Sequence, residues 1–203
     1  MSAVVLSAAA TERFFIPDFA ITPGETRTVS IMLDNEEEYT AFQCDLYLPE
    51  GLIIDDDSFV LTSRKNANHT LTVTEFPGRS YRLMSYSLKL KTYSGNSGPL
   101  VNFTLTASNE FGLPQNILIR NCVFTTPEGQ EIAFAEESCT ISLKGDVNWD
   151  GLVDIDDVTD LINFVLTGSG SSLNMVAADV FGDTFVNIND VTELIHYVLT
   201  GTW

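Results

Sequence analysis

The last third of the chain is written twice. The stretch "DVNWDGLVDIDDVTDLINFVLTG" from Asp146 aligns without gaps to "DVFGDTFVNINDVTELIHYVLTG" from Asp179, 33 residues later, and 14 of the 23 positions are identical. Self-similarity at a fixed offset marks a duplicated structural unit. Each copy ends in a helical stripe: Val158, Leu161, Ile162 and Val165 in the first, Val191, Leu194, Ile195 and Val198 in the second, spaced i, i+3, i+4, i+7. Gly168 and Gly201 follow as C-caps. One such helix has nowhere to bury its stripe, whereas two facing each other do.

The front of each copy is a loop of oxygen donors. Counting from Asp146 as position one, side-chain oxygens fall at one, three and five (Asp146, Asn148, Asp150), at nine (Asp154) and at twelve (Asp157). Gly151 at six permits a sharp turn and the Leu152 carbonyl stands at seven. This is the spacing of a calcium loop, in which alternate positions point inward and position twelve closes the cage from the first helical turn. The donors are hard oxygens with no Cys or His among them, which favours calcium over zinc or copper. Val153 at eight is the apolar residue through which paired loops touch, and position twelve is Asp, shorter than the Glu of helix–loop–helix sensors. The second loop keeps Asp179, Asp183, the Phe185 carbonyl, Asn187 and Asp190, but Phe181 occupies position three and Thr184 replaces the glycine at six. A second, weaker calcium site is expected there, with a metal-free loop held by its neighbour as the alternative.

Charge divides the chain at the same place. From Gly145 to Trp203 there is no Lys or Arg, so all ten cationic residues precede it, and the formal net charge is -18. That balance excludes nucleic acid and anionic membrane surfaces as partners, and no apolar stretch approaches the length of a membrane span. Residues 12 to 144 read as short strands: "TRTVSIML", "AFQCDLYLP", "HTLTVTEF", "YRLMSYSL", "PLVNFTLTAS", "NILIRNCVFTT" and "SCTISLK" alternate with period two between Gly, Pro and Asn turns. The pattern predicts an antiparallel two-sheet sandwich over 1–144 and a small α domain of two calcium-loop–helix repeats over 145–203, a mainly β chain overall.

The paired loop–helix segments, opening with "GDVNWDG" and without an entering helix, resemble a type I dockerin over residues 145 to 203. The resemblance implies two segments packed with pseudo-twofold symmetry, folding that depends on calcium, and helix surfaces presented to a cohesin domain on another protein. It carries metal ligation onto the donors named above and partner reading onto Ile155 and Asp156, and Ile188 and Asn189, at loop positions ten and eleven. The small hydroxyl pair usual there is absent. Asn163 and its counterpart His196, with Tyr197 beside it, are either ordinary surface or part of that partner face. Upstream, "ITPGETRTVSIMLDN", "YTAFQCDLYLPEGL" and "SGNSGPLVNFTLTA" resemble cohesin-like domains over roughly residues 14 to 143, which implies a jelly-roll sandwich of the kind shared with carbohydrate-binding modules.

Catalysis is not expected. Two histidines and no nucleophile elbow supply no Ser–His–Asp set, and the acidic runs at 36–38 and 55–57 read as solvated loops rather than as a glycosidase pair. The expected function is a non-catalytic, calcium-dependent adaptor, secreted or on the surface of a bacterium, where roughly millimolar calcium suits a folding-linked site. Its partners are cohesin-type or dockerin-type domains. The alternative is a polysaccharide-binding module tethered by its dockerin to a degrading complex, with Tyr47, Tyr81, Tyr86 and Tyr93 as candidate platform residues. Three further expectations follow. Cys44, Cys122 and Cys139 are buried small residues, or Cys122 and Cys139 pair. His69 is a surface histidine. Trp149, Trp203 or both stack where the ends of the small domain meet. The start, "MSAVVLSAAATERFF", is either the remnant of a secretion signal or a first strand.

Overall fold

The computed structural model describes residues 6–7, 11–112, 114–170 and 172–203. They form two compact units. The first takes the described residues of Met1–Pro17, Gly24–Phe111 and Asn116–Cys139; the second takes Asp18–Pro23, Gly112–Gln115 and Thr140–Trp203. The remainder of the apolar start, 1–5 and 8–10, lies outside the described residues.

The first unit is a two-sheet sandwich. One sheet runs in the order β1 (Leu6–Ser7), β12 (Glu131–Ala133), β11 (Gln115–Thr125), β5 (Ala41–Tyr47), β9 (Ser80–Ser87), β8 (His69–Phe76). The other runs β2 (Arg13–Phe15), β4 (Thr26–Asp34), β10 (Pro99–Ala107), β6 (Leu52–Ile54), with β7 (Val60–Leu61) also on β10. Pairing is antiparallel as expected, except that β1 runs parallel to β12. Alternation in sequence becomes alternation in burial: Phe42, Cys44 and Leu46 of β5 and Val29, Ile31 and Leu33 of β4 all point inward. Rings from both sheets meet between them, Phe14 lying 5.2 Å from Phe42 and from Phe124, so the two inner faces enclose one core.

A buried arginine fixes the turn before β10. Arg64 is 7 % exposed, and its guanidinium donates to the carbonyls of Leu33, Ser94, Gly95 and Gly98 and to Asn35 Oδ1. These acceptors offset the desolvation of the cation. No disulfide forms. All three cysteines are buried, Cys139 Sγ donates to the Pro17 carbonyl, and a hydrogen bond with Cys122, with burial adding to it, pushes the Cys44 thiol well up. The Cys122–Cys139 alternative is therefore not realised. His69 is not a surface residue either: it is half-buried, stacked on Tyr93 with ring centroids 4.1 Å apart, its Nδ1 accepting from the Asn66 N–H.

The second unit contains the three helices found among the described residues: α1 (Ile155–Thr167), α2 (Met175–Ala178) and α3 (Ile188–Thr200). It also holds a short parallel pair, in which β3 (Phe19–Ile21) lies beside the end of β13 (Glu137–Leu143) with Ile141 opposite Phe19. The chain passes from this pair straight into the first acidic loop.

Candidate metal centre and helix faces

Each acidic loop is closed onto its helix by the same two residues. Asp154 caps α1, accepting from the Asp156 N–H at 2.8 Å, while Asp157 three residues on accepts the Asp154 N–H at 2.9 Å. Asn187 and Asp190 repeat this reciprocal arrangement at α3. Both helices end at a left-handed glycine, Gly168 at φ 67° and Gly201 at φ 72°. The predicted stripes face one core of Val147, Val158, Leu161, Ala178, Val180, Val191 and Leu194, and α2 closes it through Asn174, whose N–H donates to the Val147 carbonyl.

The loop backbone is wrapped around its carboxylates. Asp146 accepts from the N–H groups of Asp150 and Gly151, Asp150 from Leu152, and Asn148 Oδ1 from Asp150. Asp157, with no exposed surface, accepts from Val147, Asn148 and Asp154. Positions three and five meet, Asn148 Nδ2 lying 3.2 Å from Asp150 Oδ2. Burial pushes the Asp146 and Asp157 carboxyls up, their amide hydrogen bonds oppose it, and each is pushed further by a neighbouring carboxylate, Asp150 for Asp146 and Asp146 for Asp157. Two buried carboxylates in a segment without Lys or Arg are what a divalent cation stabilises. The donor set of carboxylate, amide and carbonyl oxygens fits calcium. Among the described residues no three His, Cys, Asp or Glu side chains stand grouped as metal ligands.

The second loop copies the backbone and loses a donor. Asp179 accepts from Gly182, Asp183 and Thr184, Asp183 from Phe185, and Asp190 from Phe181 and Asn187. Phe181 stands 54 % exposed where the first loop places the Asn148 amide. The Phe185 carbonyl at position seven accepts the Asn187 side-chain N–H at 3.1 Å. Both loops require left-handed backbone at positions four and six: Trp149 (φ 68°) and Gly151 (φ 85°) in the first, Gly182 (φ 80°) and Thr184 (φ 72°) in the second. Each loop therefore meets that requirement with one glycine and one residue that resists it.

The outward faces of α1 and α3 match residue for residue. Ile155 and Leu166 are 61 % and 77 % exposed, and Ile188 and Leu199 are 63 % and 78 % exposed. Asp156, Asn163, Asn189 and His196 are exposed on the same helices. Tyr197 is half-buried and stacks on Trp203 at 4.2 Å, so one of its faces is already occupied. Leu166 and Leu199 lie eleven residues past the position-ten isoleucines, three helical turns along one line. That offset was available in the sequence but stood outside the core stripe. The expected clasp is built from Trp203, not from Trp149. Lys144 Nζ lies 4.4 Å above the Trp203 ring, and a side chain at Gly145 would meet that ring at 2.8 Å, while Trp149 is 44 % exposed.

A cohesin-like sandwich with a paired loop–helix unit after it is the class that fold and site define, and comparison with known proteins agrees. Residues 144–199 match the family model of the dockerin type I domain. The β-rich region before it has cohesins as structural neighbours. One is the non-cellulosomal cohesin of Archaeoglobus fulgidus, with 13 % identity, 65 % of this chain and 91 % of that chain covered and a TM-score of 0.51. A second is a chain of the complex between the sixth cohesin of Acetivibrio cellulolyticus scaffoldin B and a Cel5 dockerin, with 12 % identity, 66 % and 99 % covered and a TM-score of 0.53. A third belongs to the Coh-OlpC–Doc435 type I cohesin–dockerin complex of Clostridium thermocellum, with 11 % identity, 70 % and 97 % covered and a TM-score of 0.52. At these identities the likeness is one of fold. No curated protein matches the chain. No helix among the described residues is long and apolar enough to cross a membrane.

Proposed function

We propose that this chain is a non-catalytic, calcium-dependent adaptor acting outside a bacterial cell or on its surface. Residues 145–203 dock onto a cohesin-type domain, and the sandwich of 1–144 offers a second protein-binding surface. The dockerin type I match beside a cohesin-like fold supports a protein-interaction module of cellulosome type. The observation that carries the reading is the pair of exposed apolar lines on α1 and α3, from Ile155 to Leu166 and from Ile188 to Leu199, on helices whose other faces are buried. Apolar side chains held in water at corresponding places on two helices mark a binding face.

Calcium is held in the first loop by Asp146, Asn148, Asp150, the Leu152 carbonyl, Asp154 and Asp157, and more weakly in the second by Asp179, Asp183, the Phe185 carbonyl, Asn187 and Asp190. The ion supplies the counter-charge for the two buried carboxylates, so its binding free energy adds to that of folding. Ile155, Asp156, Asn163, Ile188, Asn189 and His196 read the partner, with Tyr197 contributing its free edge. On the sandwich, the outer face of β9, β5, β11 and β12 mixes Gln43, Met84, Tyr86, Val123, Thr125 and Glu131 around a concavity of about 410 Å³. Of the candidate tyrosines, Tyr81 and Tyr93 are buried and Tyr86 is exposed among polar and aliphatic neighbours, and such a mixed face supports a protein partner over a crystalline polysaccharide. The test is capture of a panel of cohesin domains by the full chain in calcium and in EDTA. Capture in calcium only, lost in the double variant Leu166→Asp, Leu199→Asp with the melting temperature unchanged, is expected. Capture that ignores both EDTA and the double variant overturns the reading.

A further inference from the structure

One polar cluster on the outer face of the sandwich lies beside the mixed concavity and is not part of its lining. Asp45 lies on the solvent side of β5, yet its side chain is only 7 % exposed. Arg82, directly opposite on β9, holds it with both nitrogens of one guanidinium edge, Nε to Oδ1 at 2.6 Å and Nη2 to Oδ2 at 2.8 Å. Asn121 adds a third bond, Nδ2 to Oδ2 at 2.8 Å. It reaches Asp45 because the β11–β5 register breaks between Arg120 and Val123, and Asn121 stands there in left-handed backbone at φ 53°. A bulge that re-aims one side chain is a feature of binding sites as well as of sheet edges. The Arg82 hydrogen bonds hold the Asp45 carboxyl below its ordinary range against the opposing effect of burial. The centre is therefore an ion pair with no net charge.

Beside this centre is a cavity of about 190 Å³ lined by Asp45, Tyr47, Phe76, Ser80, Tyr81 and Arg82. Two of its rings are set by cations: Arg82 lies 5.6 Å from the Phe76 centroid, and Arg120 lies 5.7 Å from that of Tyr47. Phe76 is 43 % exposed at the end of the edge strand β8. Arg82 keeps Nη1 and further N–H donors beyond the two used on Asp45, and Tyr47 and Ser80 bring hydroxyls that both donate and accept. The cavity is smaller than the roughly 300 Å³ at which ligand clefts usually begin, so it admits one ring and not an extended chain.

We propose that this cavity is a binding site for a single uncharged pyranose ring, the terminal or branch residue of a neutral glycan. Vicinal hydroxyls alternate donor and acceptor, which the Arg82, Ser80 and Tyr47 groups match, while Asn121 holds Asp45 in place behind them. The apolar face of a sugar ring packs on an aromatic ring such as Phe76. A neutral ion pair offers an acidic sugar no attraction, and a chain of net charge -18 repels one. The proposal is independent of the dockerin half of the adaptor reading, since none of these residues lies in the loops or helices assigned to calcium and cohesin, and its cavity adjoins the mixed surface on the same outer face of β5 and β9.

The test is a titration of the ¹⁵N-labelled full chain, in calcium, with the methyl pyranosides of glucose, galactose, mannose, xylose and N-acetylglucosamine. Glucuronic acid is the charged control, and the hexasaccharide of the best neutral sugar follows. Saturable shifts centred on Tyr47, Phe76, Arg82 and Asn121 with at least one neutral sugar are expected. The hexasaccharide binding no more weakly than its monomer supports a chain end as the source, and weaker binding supports the free sugar. Phe76→Ala is expected to weaken binding at least tenfold. Asn121→Gly, which keeps the left-handed backbone and removes the amide, is expected to do the same with the fold intact. No saturable shift with any neutral sugar overturns the proposal. So does tighter binding of glucuronic acid, or shifts that survive both substitutions. Cohesin capture in the same samples reports separately on the adaptor reading.

Discussion

Thr184 is the residue in the second loop that most clearly works against its own backbone. At φ 72° it is a β-branched side chain in the left-handed region, where L-residues lose roughly 1–2 kcal/mol. Its N–H donates to Asp179 Oδ2, a bond that a glycine would keep. Thr184→Gly should recover that strain and give back about 0.5–1 kcal/mol through glycine's greater freedom when unfolded, for a net gain of about 1 kcal/mol. For a unit of this size that is on the order of 4–8 °C in melting temperature. The converse change, Gly151→Thr, isolates the dihedral term, because a Cβ there meets nothing within 4 Å and φ is 85°. It should cost the same difference between strain and unfolded-chain entropy, about 1 kcal/mol. The α-helices of the described residues all lie between 155 and 200, so the 222 nm signal of the full chain follows this unit, in calcium and in EDTA alike. Opposite shifts of the two variants are expected in both media. A Thr184→Gly variant that melts below the parent, or a Gly151→Thr variant that melts with it, refutes the strain argument.

Phe181→Asn places an oxygen at position three of the second loop and should raise calcium affinity there at least tenfold in calorimetric titration, while leaving the EDTA melt unchanged. Asp157→Ala orphans three backbone N–H groups and Asp190→Ala two. At about 1 kcal/mol or more for each buried donor, the first variant should lose more stability in EDTA by chemical denaturation. His69 is buried against Tyr93 and burial holds its pKa down; the neutral ring is the favoured folded form. The sandwich should therefore lose stability as pH falls below the unfolded histidine value of about 6.5, and His69→Phe should flatten that dependence in denaturant melts. Arg64→Met removes the guanidinium donor from the Leu33, Ser94 and Gly95 carbonyls and Asn35 Oδ1, and one of two donors from the Gly98 carbonyl, and should cost about 3 kcal/mol or more.

What was legible in sequence was local. The loops and helices of the second unit could be read because an oxygen spacing and a 3.6-residue period each fit within about a dozen residues, and because each was written twice. The long strands showed themselves by period two. Pairings between distant short strands had no such signal: β1 meets β12 and β3 meets β13 across more than a hundred residues. His69 looked like surface because the Tyr93 ring that covers it arrives from a separate loop. The Asp45, Arg82 and Asn121 cluster draws on three strands and a bulge, and nothing in "FQCDLY" alone announces a buried carboxylate.

The repeat itself carried more than its spacing suggested. In the sequence a glycine stands at position six of the first loop and is lost from the second, yet both loops take left-handed backbone at four and at six, and each has a glycine at only one. The second loop differs from the first chiefly through Phe181, which offers no oxygen, and not through a lost turn. The helices show the opposite tendency: Ile155 and Ile188, and Leu166 and Leu199, differ in exposure by one or two percentage points. The two copies differ at loop positions three and nine, where a cation would sit, and at the polar partner positions Asp156/Asn189 and Asn163/His196, but they keep the apolar anchors Ile155/Ile188 and Leu166/Leu199. That is the pattern expected if one well-made metal loop is enough to hold the unit folded, while the partner is read by a surface whose two halves must both keep their shape.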